Sequence, residues 1–159
     1  MSRVSAVLAF AWMVPVFAQE ASTRTPEEVY QERLARITQS LADEHHLLGA
    51  FLTGAQQHEW ARVEYQNARK FVKGHEKANK AMGYTVWNDE TKAWESDPSV
   101  PPPPIGNKKK GDEQDKIWEQ YQKKMEPMGK KMARLYYDLG AWCKKNLATD
   151  PEQAREAFK

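Results

Sequence analysis

A single cysteine, Cys143, stands in 159 residues. One thiol closes no internal disulfide, so the fold has to stand on packing. Cys143 is then buried or bridges two chains, and burial is the ordinary fate of a cysteine. HExxH, paired Glu-x-x-His, Cys-x-x-Cys-His, Gly-x-Ser-x-Gly and a Gly-rich phosphate loop are all missing from the chain. Their absence removes the motif grounds for a zinc protease, a ferritin-like di-iron centre, a c-type haem, a hydrolase and a P-loop nucleotidase. Net charge is only +2, which gives no reason to expect nucleic acid. No enzyme activity and no cofactor are expected.

The long apolar run is confined to the first residues. Arg3 precedes Val4 to Phe17, fourteen residues without a charge, and Val16-Phe17-Ala18 offers small residues at the cleavage positions. The run is shorter than the ~18 residues of a spanning helix, and Pro15 interrupts it. Residues 1–18 therefore read as a signal peptide cut after Ala18. The mature chain, 19–159, is expected in the periplasm or secreted as a single helical domain.

Aromatics are plentiful, with six Trp and six Tyr, and those rings must be buried or used at a contact. Thr25-Pro26-Glu27-Glu28 is a helix start, with a capping box and proline at the first helical position. Tyr30, Leu34, Ile37, Leu41, Leu48 and Phe51 recur at helical spacing, with Glu44 the one break in the stripe. The spacing predicts helix over 26–82, with its second stripe on Trp60, Val63, Asn67, Phe71, Ala78 and Met82. An unbroken helix of that length would reach about 85 Å. Gly49 and Gly54 mark a bend, a turn or a close helix contact, so the segment is broken near 49–54 or continuous.

A further helix is expected over 112–147, with its stripe on Ile117, Tyr121, Met125, Met128, Met132, Leu135, Leu139 and Trp142. Pro127 falls inside it and predicts a kink or a restart there. Asp150-Pro151 caps a short last helix over 150–158. Gln19 to Ala61 carries seven acids against three bases, and Gly106 to Arg134 nine bases against five acids. An antiparallel bundle sets these faces against each other, unless both are simply solvated.

Between the helical halves, 83–111 is different. Thr85-Val86-Trp87 and Lys92-Ala93-Trp94 flank the turn-forming Asn88-Asp89-Glu90-Thr91, so Trp87 faces Trp94 across a two-strand ladder. These eight residues resemble the second hairpin of the immunoglobulin-binding domains of protein G. The resemblance implies a hairpin and no function. Pro101, Pro102, Pro103 and Pro104 follow as polyproline II, then a flexible basic loop with Lys108, Lys109 and Lys110. The insert is either a clasp, with prolines on the indoles, or a protruding contact element. Trp87, Trp94 and Pro101 to Pro104 are the candidate partner-binding residues.

Other features weigh less. His45, His46 and His58 are the candidate metal ligands, yet no two share a helix face, and only a chain reversal would gather them. Met125, Met128 and Met132 suit a core or an adaptable groove. Lys108, Lys109 and Lys110 suit solvent, an anionic lipid surface or an acidic partner. The fold expected is mainly α: a helical bundle or long helical hairpin with a small β-hairpin and proline-rich crossover. The function expected is an exported structural or interaction subunit with a protein partner, self-association left open. The alternatives are a periplasmic holdase-type chaperone or carrier, and a histidine-based metal-binding or sensing module.

Overall fold

The computed structural model describes residues 24–147. The leader over 1–18 and the helix expected over 150–158 lie outside the described residues.

The chain is mainly α. Helix α1 spans Pro26–Gly54. It begins where the cap residues require: Thr25 Oγ1 accepts the Glu28 N–H at 3.2 Å, and the Glu28 carboxylate accepts the Thr25 N–H at 2.7 Å. It runs straight through Gly49 and ends at the second flagged glycine. The reversal follows at 55–57, where Gln56 takes a positive φ of 59° and Leu52 O accepts the Gln57 N–H. Helix α2, His58–Phe71, then returns antiparallel along α1. The expected continuation to Gly83 breaks once more at Val72, and a short α3 spans Glu76–Ala81. His75 caps it, with Nδ1 accepting the Ala78 N–H at 3.1 Å. Among the described residues, no helix is long and apolar enough to cross a membrane.

The face of α2 differs from the expected one. Val63 and Phe71 are exposed, while Ala61, Glu64, Tyr65 and Ala68 are buried. The cause lies in α1, which carries a second buried seam, Ala42, His45, Gly49 and Leu52, beside the stripe read from its large residues. Small residues on both helices permit close approach, and that contact outweighs the burial of Val63 and Phe71.

Strands β1 (Tyr84–Asn88) and β2 (Ala93–Ser96) form the antiparallel hairpin, with Trp87 opposite Trp94 and a bulge between Tyr84 and Val86. The turn closes as an Asx turn: Asn88 Oδ1 accepts the Glu90 and Thr91 N–H groups, and Lys92 takes a φ of 51°.

Helix α4, Asp112–Asn146, runs antiparallel to α1 and continues through Pro127 without the expected restart. Pro127 and Lys123, whose carbonyl loses its N–H donor, are both exposed, so water replaces that bond. Met128 and Met132 pack with Leu41 and Leu48, and Ile37 packs with Leu139 and Cys143. The methionines are core here, and Cys143 is free and fully buried. Of the opposed charges, Lys131 of α4 meets Glu44 of α1 at 2.6 Å.

The loop before α4 is not a loose basic tether. Gln57 and Asn107 form an antiparallel bridge, Lys108 N–H donates to Gln56 O, and the buried Gln57 side chain donates to Lys109 O. Asn107 Oδ1 accepts the Glu59 N–H, capping α2 from 48 residues away in the chain where Gln57 supplies no side-chain cap.

Candidate functional site

Among the described residues, polar or aromatic groups gather in the interior between the helices, in the hairpin with the α2–α3 corner beneath it, and in a ring stack of Trp60, Trp118 and Tyr121.

Inside, His45 of α1, Glu64 of α2 and Tyr121 of α4 meet. His45 Nδ1 donates to Glu64 Oε2 at 2.6 Å, and the Tyr121 hydroxyl donates to Glu64 Oε1 at 2.7 Å. Burial, then the neighbouring carboxylate, push the Tyr121 hydroxyl well above its ordinary range, so it remains a donor. The His45 ring stacks on Phe71 with centroids 5.5 Å apart, which accounts for one face of that exposed phenylalanine. Neither of the two clefts described below is lined by this trio. Its arrangement joins three helices through one carboxylate.

His46 lies between the rings of Tyr65 and His75. His75 Nδ1 is occupied by the α3 cap, so its Nε2–H donates to Asp43 at 2.9 Å. His58 sits apart, at the first turn of α2, beside the proline run. The chain reversal thus pairs His45 with Glu64 and His46 with His75 and leaves His58 elsewhere. Among the described residues, no three His, Cys, Asp or Glu side chains converge on a position for a metal ion.

Burial, then the charges of His75 and Lys77, lower the His46 pKa from its ordinary 6.5, with Asp43 opposing. For a depressed histidine the sign is fixed: the unfolded chain takes up this proton first as pH falls below 6.5. Stability present above that value is therefore lost on the acid side. Burial alone would raise the Asp43 carboxyl, but its bonds to His75 and Gln39 outweigh this and lower it, so Asp43 contributes a separate loss below 3.8. Urea titrations at neutral pH and near pH 5 are expected to show the acid-side loss, and His46→Gln is expected to flatten it. An unchanged slope in that variant would rule out His46 as the source.

On the surface, the two indoles meet edge to face with centroids 5.7 Å apart. Trp94 Nε1–H points at Gly74 O at 3.4 Å, and the Lys80 ammonium lies 5.9 Å above the same ring. Trp87 Nε1–H donates to Asp89, and 40% of Trp87 stays exposed. Beneath the hairpin, the Arg69 guanidinium lies over the Tyr84 ring at 4.5 Å.

The proline run takes another position. Pro102, Pro103 and Pro104 form one wall of a cleft of about 200 Å³ against Ala61, Tyr65, Ala81 and Met82. Gly83, with φ 88°, lets Pro103 approach: a Cβ there would stand 2.9 Å from the proline Cδ. The run thus braces the base of the hairpin against α2 and the end of α3, and the indoles pack on each other. Pro101, Pro102 and Pro104 remain exposed. Of the three lysines, Lys109 pairs with Glu113 at 3.2 Å, while Lys108 and Lys110 are exposed.

Sequence reading found the indole pair but not Arg69, Lys73, Gly74 and Asn79, which line a small cleft with it. The one available signal was a positive charge at 69, 70 and 73 just before a glycine. The chain matches no protein-family model, no curated protein and no solved structure.

Proposed function

We propose that this chain is a non-enzymatic interaction subunit that acts after export and docks on a larger envelope or extracellular assembly. The docking face is the side of the hairpin that carries Trp87 and Trp94, with the cleft it shares with the α2–α3 corner. One observation carries the reading: a half-exposed indole pair is held on a short hairpin whose base Pro103 braces at Gly83. An isolated two-strand hairpin is marginal in water, and this one rests on the α2–α3 corner with its aromatic tip still open to solvent. Indoles in that setting are the residues that anchor protein interfaces. Of the proline run, Pro102 to Pro104 serve here by fixing the base of the hairpin.

Affinity purification of the mature chain from its native envelope, with and without the double change Trp87→Ala and Trp94→Ala, tests the reading. Discrete partners are expected with the parent chain and are expected to be lost with the double variant. Both side chains lie outside the clusters of buried residues, so the helical fold should persist by circular dichroism. Equal recovery of partners by both forms would sink the proposal.

A further inference from the structure

The cleft under the indoles, about 100 Å³, holds polar groups that the protein itself leaves unmatched. Asn79 is fully buried, and its Nδ2 donates twice, to Lys73 O at 3.1 Å and to His75 O at 2.9 Å. Two carbonyl partners fix which end of the amide is nitrogen, because an oxygen there would face two acceptors. The Oδ1 is therefore held at the other end, where it accepts no hydrogen bond. That oxygen is sealed from solvent, and the amide fixes the α2–α3 corner that walls the cleft.

Arg69 is left unmatched. Its Nε–H is buried without a partner, and its remaining contacts are the Tyr84 ring and a 3.9 Å approach of Nη1 to Met82 sulfur. Among the described residues no carboxylate pairs with Arg69, and none pairs with the exposed Lys73 in the turn after α2. One small cleft thus joins two cations without an anion and the indole pair. The sheet above it has two strands, so each strand keeps an outer edge free for a third.

We infer that this cleft receives an acidic side chain of an extended peptide segment. The carboxylate meets Arg69 and Lys73, and neighbouring apolar residues lie on Trp87 and Trp94. A peptide carries apolar residues beside its acid groups, and its backbone can add to a free strand edge. The volume admits one side chain and no folded element. This assignment rests on the docking reading above and names the chemistry of its partner.

The probe is a short, capped, fluorescein-labelled peptide of alternating valine and glutamate, compared by anisotropy with its valine–glutamine counterpart. The glutamate peptide is expected to bind about tenfold or more tightly, the scale of a charge-assisted hydrogen bond. Lys73→Glu, an exposed change, is expected to abolish that preference while leaving the unfolding midpoint unchanged. Arg69→Gln is expected to do the same, with Arg69→Lys restoring part of it. Equal binding of the two peptides, binding of neither, or an unaltered preference in Lys73→Glu would each overturn the inference. So would tighter binding of an oligogalacturonate of matching charge, which would make the cleft a site for acidic sugars. If the indole-dependent partners are still captured while the glutamate peptide fails, this inference falls and the docking reading stands. If the double tryptophan variant captures them equally, the docking reading itself falls.

Discussion

Glu64→Ala is expected to lower the unfolding free energy by about 3–5 kcal/mol, as breaking a buried, hydrogen-bonded charge does. Glu64 is 4% exposed and receives the His45 ring N–H and the Tyr121 hydroxyl, one from each neighbouring helix. Its removal leaves a buried imidazole and a half-buried phenol without their acceptor, and opens a void between α1, α2 and α4. Domains of this size have stabilities of about 5–15 kcal/mol, so the change takes about a fifth or more of the total. Glu64→Gln should lose only about 1–2 kcal/mol. Its carbonyl can still accept the Tyr121 hydroxyl, and its amide can donate to His45 Nδ1 once the ring shifts its proton to Nε2. Urea titration followed by helical circular dichroism measures both. A double change of Glu64→Ala with Tyr121→Phe should fall short of the sum of the two single losses, since the phenol no longer needs an acceptor. An alanine variant as stable as the parent would show that the carboxylate does not hold the helices together.

Large apolar residues and cap chemistry made much of this fold legible in the sequence. The α1 start follows from Thr25, Pro26 and Glu28, and the α4 seam from Met128, Met132 and Leu139. The hairpin follows from two indoles flanking a turn. The face of α2 was not legible, because its buried seam consists of two alanines, a glutamate and a tyrosine. Hydrophobic periodicity registers side-chain size and apolarity, and a close helix contact is built from residues that have little of either. The Glu64 network was hidden for a related reason: its members stand at 45, 64 and 121, and although Tyr121 falls in the α4 stripe, nothing in the sequence joins it to His45 and Glu64. The candidate site divides in the same way. Trp87 and Trp94 announce themselves, whereas Asn79 and Arg69 acquire meaning only once α3 and the hairpin are folded over α2.

That close contact yields the second large effect. Gly49→Ala is expected to destabilise the protein by about 1–2 kcal/mol, against the sign of helix propensity. In a free helix, alanine gains about 1 kcal/mol over glycine. At Gly49 the added Cβ would lie 2.5 Å from Tyr65 Cε1 and 2.7 Å from Cδ1. The ring has little room to yield: Tyr65 is 6% exposed, its hydroxyl bonds Thr53 at 3.0 Å, and His46 lies against it. The strain therefore falls on the α1–α2 spacing and on the adjacent His45–Glu64 bond, and overpacking of this kind costs about 3 kcal/mol at its upper range. Gly129 of α4 is the internal standard. It is exposed, and a Cβ there meets nothing within 4 Å, so Gly129→Ala should be stabilising by about 1 kcal/mol. Two identical substitutions in two helices are thus expected to move the urea midpoint in opposite directions. Equal stabilisation by both would mean that α1 and α2 lie further apart than the Gly49–Tyr65 contact requires, and that Val63 and Phe71 were left exposed for some other reason.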